Sequence, residues 1–72
     1  MTESIALPPK AKGAIMQSAE LCRDCAAEYK SLAMRPGISI RRADLLMSIS
    51  HSWLVLAGLL ERLADIVEEE GE

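Results

Sequence analysis

The sequence predicts an all-α protein: an antiparallel hairpin of two helices, at about 9–34 and 40–69, that associates with a second copy into a homodimeric four-helix bundle. Three observations predict it. Apolar residues in the second half step by three and four over three heptads, the spacing that keeps one helix face against another. A single Pro36-Gly37 bend separates two stretches of good helix formers. Half of the 72 residues are apolar, more than one hairpin can cover.

The first helix is expected to open after Pro8-Pro9, since proline suits the first helical position. Gly13 blurs that start. From Ile15 to Met34 the residues are rich in Ala, Leu, Met, Glu and Lys, all favourable in helices. Pro36 then disfavours the α region at Arg35, and Gly37 can take a positive φ. Ser39 is the expected N-cap of the second helix; Arg42 at the third helical position means that there is no capping box. This helix runs from Ile40 to about Glu69, where acids and Gly71 end it. Residues 1–8 and 70–72 are expected to be flexible ends of a single domain.

Leu46, Ile49, Trp53, Leu56, Leu60, Leu63 and Val67 form the seam of the second helix, with a row of small residues, Ala43, Ser50, Ala57 and Ala64, beside it. The first helix carries its own seam, Ile15, Ser18, Cys22, Cys25, Tyr29 and Leu32, flanked by Ala19, Ala26 and Ala33. Folding about Gly37 is expected to pair Ile15 with Leu60, Ser18 with Leu56, Cys22 with Trp53, Cys25 with Ile49, and Tyr29 with Leu46. Leu45, Met47, Leu54, Val55, Leu59 and Ile66 lie off the seam, so the helix around Trp53–Leu60 is apolar nearly all round. Contiguous exposed apolar surface marks an interaction site. Trp53, Leu54, Val55, Leu59 and Ile66 are therefore the expected interface, covered by a second copy or by another helical protein.

Composition and charge narrow the function classes. A chain this short buries only about 60% of its unfolded surface and is marginal alone unless stapled or oligomeric. Two cysteines do not make a disulfide scaffold, and the apolar content is too high for a disordered chain. A net charge of −3 and a pI near 5.1 argue against nucleic-acid binding, which uses a basic stripe. Glu3 stands where a secretory signal needs positive charge, and the uncharged run Leu45–Leu60 contains Ser48, Ser50, His51 and Ser52, so it reads as too short and too polar to span a bilayer. The expected setting is the cytoplasm, without membrane partners.

Cys22-Arg23-Asp24-Cys25 is the one motif with chemical potential. Thiols three apart on a helix share a face and could ligate a soft metal or be oxidised. Redox-active pairs of this spacing sit at helix N-termini, where the dipole lowers a thiol pKa. This pair sits mid-helix, where free cysteine packs as a small hydrophobe. Packing is thus the expected role, and no cofactor or metal is expected. A thiol site for metal binding or redox sensing is the alternative, with two such pairs converging at a dimer axis. His51 faces outward near Asp44 and Gly58, without a second imidazole or carboxylate cluster around it, as a surface or interface residue. Arg35, Arg41 and Arg42 gather at the bend, where cations beside free helix N–H groups could contact an anion; the plainer reading is a solvated tip with Arg41 paired to Asp44. Lys10 and Lys12 are expected near Glu68, Glu69 and Glu70. Ser48, Ser50 and Ser52 read as interface or back-bonding hydroxyls, and no catalytic constellation is present in the sequence.

Ala19-Glu20-Leu21-Cys22-Arg23, Pro36, Arg42, Leu45-Leu46, Ser52-Trp53, Leu56-Ala57 and Glu61 together resemble a pattern in a family of small helical-hairpin proteins of alphaproteobacteria. The likeness covers Ala19 to Leu63, and much of it is helical seam. The tryptophan and the first cysteine belong to the pattern, whereas Cys25 departs from it, which weakens the paired-thiol alternative. The resemblance implies a helical hairpin in a bacterial cytosolic setting and brings no activity with it. The expected function is a non-enzymatic interaction or regulatory module that self-associates through the apolar face of its second helix.

Overall fold

The computed structural model describes residues 11–71. Two helices, α1 (Ala11–Ala33) and α2 (Ile40–Glu69), pack against each other as an antiparallel hairpin. The expected opening at Pro8-Pro9 and the placement of Lys10 lie outside the described residues. The bend forms as its residues require. Met34 and Arg35 donate N–H groups back to Lys30, Ser31 and Leu32, tightening the last turn, and Gly37 adopts φ +83°, a conformation that costs glycine little. Ser39 caps α2, its Oγ accepting from the Arg42 amide at 3.1 Å. That contact satisfies one of the amides that a helix start leaves free.

The face that closes the hairpin differs from the expected seam. The residues fully or nearly fully covered are Ala11, Ala19, Cys22, Ala26 and Ala33 on α1, and Ser50, Ala57, Ala64 and Val67 on α2. The row of small residues, expected beside the contact, is its centre. Ala19 packs with Cys22 and Ala57, and Trp53 and Leu60 lean on that cluster. Ser50 Oγ donates a 2.7 Å hydrogen bond to the Ala26 carbonyl across the interface. One heptad along, the same register places Ala19 opposite Ala57; one heptad back, it places Ala33 opposite Ala43. The inner seam of α2 therefore alternates small and large: Ala43, Leu46, Ser50, Trp53, Ala57, Leu60, Ala64, Val67. Small side chains let the two backbones approach closely, and the larger ones close over the gap from one side.

The expected register holds where it placed Cys22 and Trp53 in one layer. It fails for Ser18, Ile49 and Leu56, and the expected seam fails also at Leu63; all four are exposed. Rotation accounts for this: centring the contact on the alanine rows turns those four toward the rim. Two ion pairs, Lys12–Glu68 and Arg23–Glu61, lie along the opposite rim of the hairpin. The result is a two-faced slab 52 Å long and 13 Å thick, about one helix diameter. One rim is ionic and the other apolar.

Candidate functional site

In a layer one helix thick, each helix turns only part of its circumference inward, and α2 has apolar residues on the remainder. Ile49, Leu56 and Leu63 recur every seven residues, as do Leu45, Ser52, Leu59 and Ile66. Taken together they read Leu45, Ile49, Ser52, Leu56, Leu59, Leu63, Ile66, a second heptad seam about 100° round the helix from the inner one. All seven are exposed, Leu45 by 67% and Leu59 by 53%. Among the described residues no large side chain is fully buried, so the molecule's bulky apolar surface lies here and not in its core.

At the middle of this seam Ile49, Ser52, Trp53 and Leu56 line an apolar depression of about 330 Å³. Its origin is local: Ser52 is the one small residue in a row of leucine and isoleucine, and its hydroxyl folds back to the Ser48 carbonyl at 3.0 Å. Residues at i, i+3, i+4 and i+7 form the hole that receives one side chain in knobs-into-holes packing.

The expected interface residues divide on this geometry. Leu59 and Ile66 belong to the outer seam, and Trp53 bridges the two seams, half-buried against Ala19, Cys22 and Ala57. Val55 lies at the far edge of the seam, one turn from Leu59. Leu54 stands apart, turned toward the ionic rim with Glu61. The continuity of the seam from Leu45 to Ile66 is what the sequence reading missed. The signal was present in the three-four spacing but was assigned to the contact with α1.

The two thiols differ in their surroundings. Cys22 is buried in the alanine core and Cys25 sits half-covered at the rim, both free. Among the described residues no three of His, Cys, Asp and Glu gather as metal ligands would. His51 is exposed. At the bend, Arg35 and Arg42 line a pocket of about 360 Å³ with Leu32, Pro36, Gly37, Ile38 and Leu46; Arg41, exposed in the same turn of α2, is not part of its lining. The Ser39 cap already occupies the Arg42 amide there. The ion pairs formed among the described residues do not include Arg41 with Asp44.

No protein-family model matches the chain, and no curated protein or solved structure matches it significantly.

By length and composition α2 could cross a membrane. It has 30 residues, and an 18-residue window reaches a mean hydropathy of 1.5 with 11% of that window buried. The run Leu45–Leu60, expected to be too short and too polar, is continued by the helix on both sides. Its hydroxyls at Ser50 and Ser52 are satisfied by backbone carbonyls, which lowers their cost in an apolar setting.

Proposed function

We propose that the protein is a non-enzymatic helical interaction module that self-associates through the outer seam of α2 and works in the cytoplasm. The observation that carries this reading is the division of side chains by size: mostly small residues are buried inside the hairpin, while Leu45, Ile49, Leu56, Leu59, Leu63 and Ile66 are exposed outside it. An alanine contact buries little area per residue. At roughly 25 cal/mol per Å² of apolar surface, it contributes far less than a core of large side chains. The seam from Leu45 to Ile66 offers the missing area, and each Leu or Ile buried there contributes about 1.5–3 kcal/mol. Folding and association are then one process, as in small obligate dimers.

A lipid covering fits the hairpin less well. α1 lies along α2 and carries Glu20, Arg23, Asp24, Glu28 and Lys30. A charged side chain at the centre of a membrane-inserted helix costs about 2.5–3.5 kcal/mol on insertion scales. Inserting α2 would require stripping it from α1 and exposing the Ala19–Ala57 contact.

Light scattering coupled to size exclusion tests the reading, together with thermal unfolding across a hundredfold concentration range. The expected result is twice the 7.9 kDa chain mass and a Tm that rises with concentration. A monomer with a concentration-independent Tm overturns self-association. A monomer that instead floats with neutral phosphatidylcholine vesicles assigns the seam to lipid.

A further inference from the structure

The outer seam determines how a second copy is oriented, an inference that rests on the self-association proposed above. We propose that two copies pack α2 against α2 in antiparallel fashion about a two-fold axis that meets the outer seam midway between Ser52 and Leu56, Leu56 of each copy packing over Ser52 in the depression of the other.

Three features of α2 point to this arrangement. The first is shape. The depression is open because Ser52 is small, and Leu56, 41% exposed, forms its wall one turn beyond Ser52. An antiparallel two-fold that sets Ser52 opposite Leu56 of the second copy fills both depressions at once, because a two-fold contact is reciprocal. A parallel alignment sets Ser52 against Ser52 and leaves the depression facing its own image.

The second is register. With Ser52 opposite Leu56, Ile49 meets Leu59 of the second copy and Leu45 meets Leu63 of the second copy. Each layer thus joins the two kinds of seam position, as antiparallel helix pairs do, and every large residue from Leu45 to Leu63 finds a large or complementary partner.

The third is charge. The ends of α2 are opposite in sign: Arg41 and Arg42 in its first turn, Glu69 and Glu70 at its last, beyond Glu68, which is held by Lys12 of α1. No acid sits in the first turn and no base in the last, so both ends oppose the helix dipole. The antiparallel arrangement brings the arginine end of each copy to the acidic end of the other. It offsets both unfavourable ends with one contact, made twice. The parallel arrangement stacks arginines on arginines and glutamates on glutamates. At four bulky layers plus two charged ends, the seam covers most of the length of α2.

Disulfide trapping tests the orientation in a Cys22→Ala/Cys25→Ser background shown by circular dichroism to remain helical. Leu45→Cys and Leu63→Cys are prepared singly and mixed under air oxidation. Antiparallel packing predicts that the mixture cross-links efficiently while each variant alone stays mostly uncross-linked, since like positions then lie about 27 Å apart at 1.5 Å per residue. Self-cross-linking of each variant alone, in a protein that light scattering shows to be dimeric, overturns the orientation and leaves self-association standing. A monomer overturns both.

An arm without engineered cysteines uses the charged ends of the otherwise unaltered chain. Arg41→Glu/Arg42→Glu should weaken the dimer about tenfold at low salt, and adding Glu69→Arg/Glu70→Arg in the same chain should restore it. A dimer that the first pair of substitutions leaves unchanged, or that tightens as salt rises, overturns the antiparallel arrangement.

Discussion

On its inner side α2 presents Ala57 and Ala64 and covers them almost completely; about 100° round the same helix it presents Leu56, Leu59 and Leu63 and leaves two-fifths to half of each in water. The more hydrophobic row is the more exposed one. In a layer of two helices a bulky side chain has a neighbour on one side only, so no Leu or Ile can be surrounded. An alanine facing an alanine is covered by the two backbones themselves. Burial here follows how near the helices come. The small row determines that distance, and the large row must find cover elsewhere.

Forcing the small row to behave like the large one should have the largest effect. Ala57 is 2% exposed and packs on Ala19, which is fully covered. Ala57→Leu puts three extra carbons where the two helices touch. Overpacking costs about 1–3 kcal/mol, and each kcal/mol shifts Tm by about 4–8 °C in a domain of this size. We expect Tm to fall by about 10 °C or more in circular-dichroism melts at fixed concentration. A hairpin that accepts leucine at position 57 without loss would mean that the helices are farther apart than the Ser50–Ala26 hydrogen bond requires.

Changes on the outer row should act on association and leave the contact between α1 and α2 unaltered within the dimer. Leu59→Ala removes a bulky member of the outer seam, and in a symmetric dimer the loss is counted twice. At about 1.5 kcal/mol or more per buried Leu, dimer affinity should drop by at least tenfold in sedimentation equilibrium, with helicity unchanged in the remaining dimer. Leu54→Ala is the matched contrast. Leu54 is as exposed as its neighbours, 49%, but lies off the seam beside the ionic rim, and its loss should leave affinity within about twofold. Equal effects of the two substitutions would erase the distinction between the seam and the rest of the helix.

Much of this was legible in the sequence, and the part that was not has one physical cause. The bend, the Ser39 cap and the span of α2 follow from local chemistry at Pro36, Gly37 and Ser39, which acts within a few residues and does not depend on packing. The excess of apolar residues on α2 and its centre near Trp53–Leu60 were also readable from spacing. The contact face was not. Period alone assigns the most hydrophobic stripe to the nearest neighbour, and Leu46, Trp53 and Leu60 satisfy that rule only in part. The rows Ala19-Ala26-Ala33 and Ala43-Ser50-Ala57-Ala64 carried the answer, since matched small rows on two helices allow the closest approach. They read as a supporting feature because alanine is weakly hydrophobic. That Leu54 lies off the stripe shared by Leu59 and Ile66 was hidden for a related reason: the helix is apolar nearly all round.

Ser50 tests whether the small row works by size alone. Its side chain is buried and donates to the Ala26 carbonyl at 2.7 Å, so it combines an alanine-like footprint with a cross-helix bond. Ser50→Ala keeps the footprint and removes the donor, and leaves little unsatisfied, because the position faces a helical carbonyl that retains its place in the α1 ladder. A net hydrogen bond contributes about 0.5–1.5 kcal/mol, and the loss should fall in that range or below it. Ser50→Val keeps no donor and adds bulk at the same point. If size governs the row, the valine variant should be clearly less stable than the alanine variant; if the bond governs it, the two should melt together.

The smallest effect belongs to the ionic rim, where Arg23 pairs with Glu61 and Lys12 with Glu68. Each pair joins the two helices on the side away from the apolar seam, which makes it look like a clasp. All four side chains are two-fifths exposed or more, and exposed pairs contribute about 0.2–1 kcal/mol before salt screens them. A double-mutant cycle with Arg23→Ala and Glu61→Ala should therefore return a coupling at the low end of that range, vanishing near 1 M salt. The outer-seam variants should keep their effect at the same salt, since apolar burial is not screened. A rim coupling larger than the loss from Leu59→Ala would reverse the comparison. The hairpin would then be held from its charged side, and the alanine contact would be a consequence of that closure and not its cause.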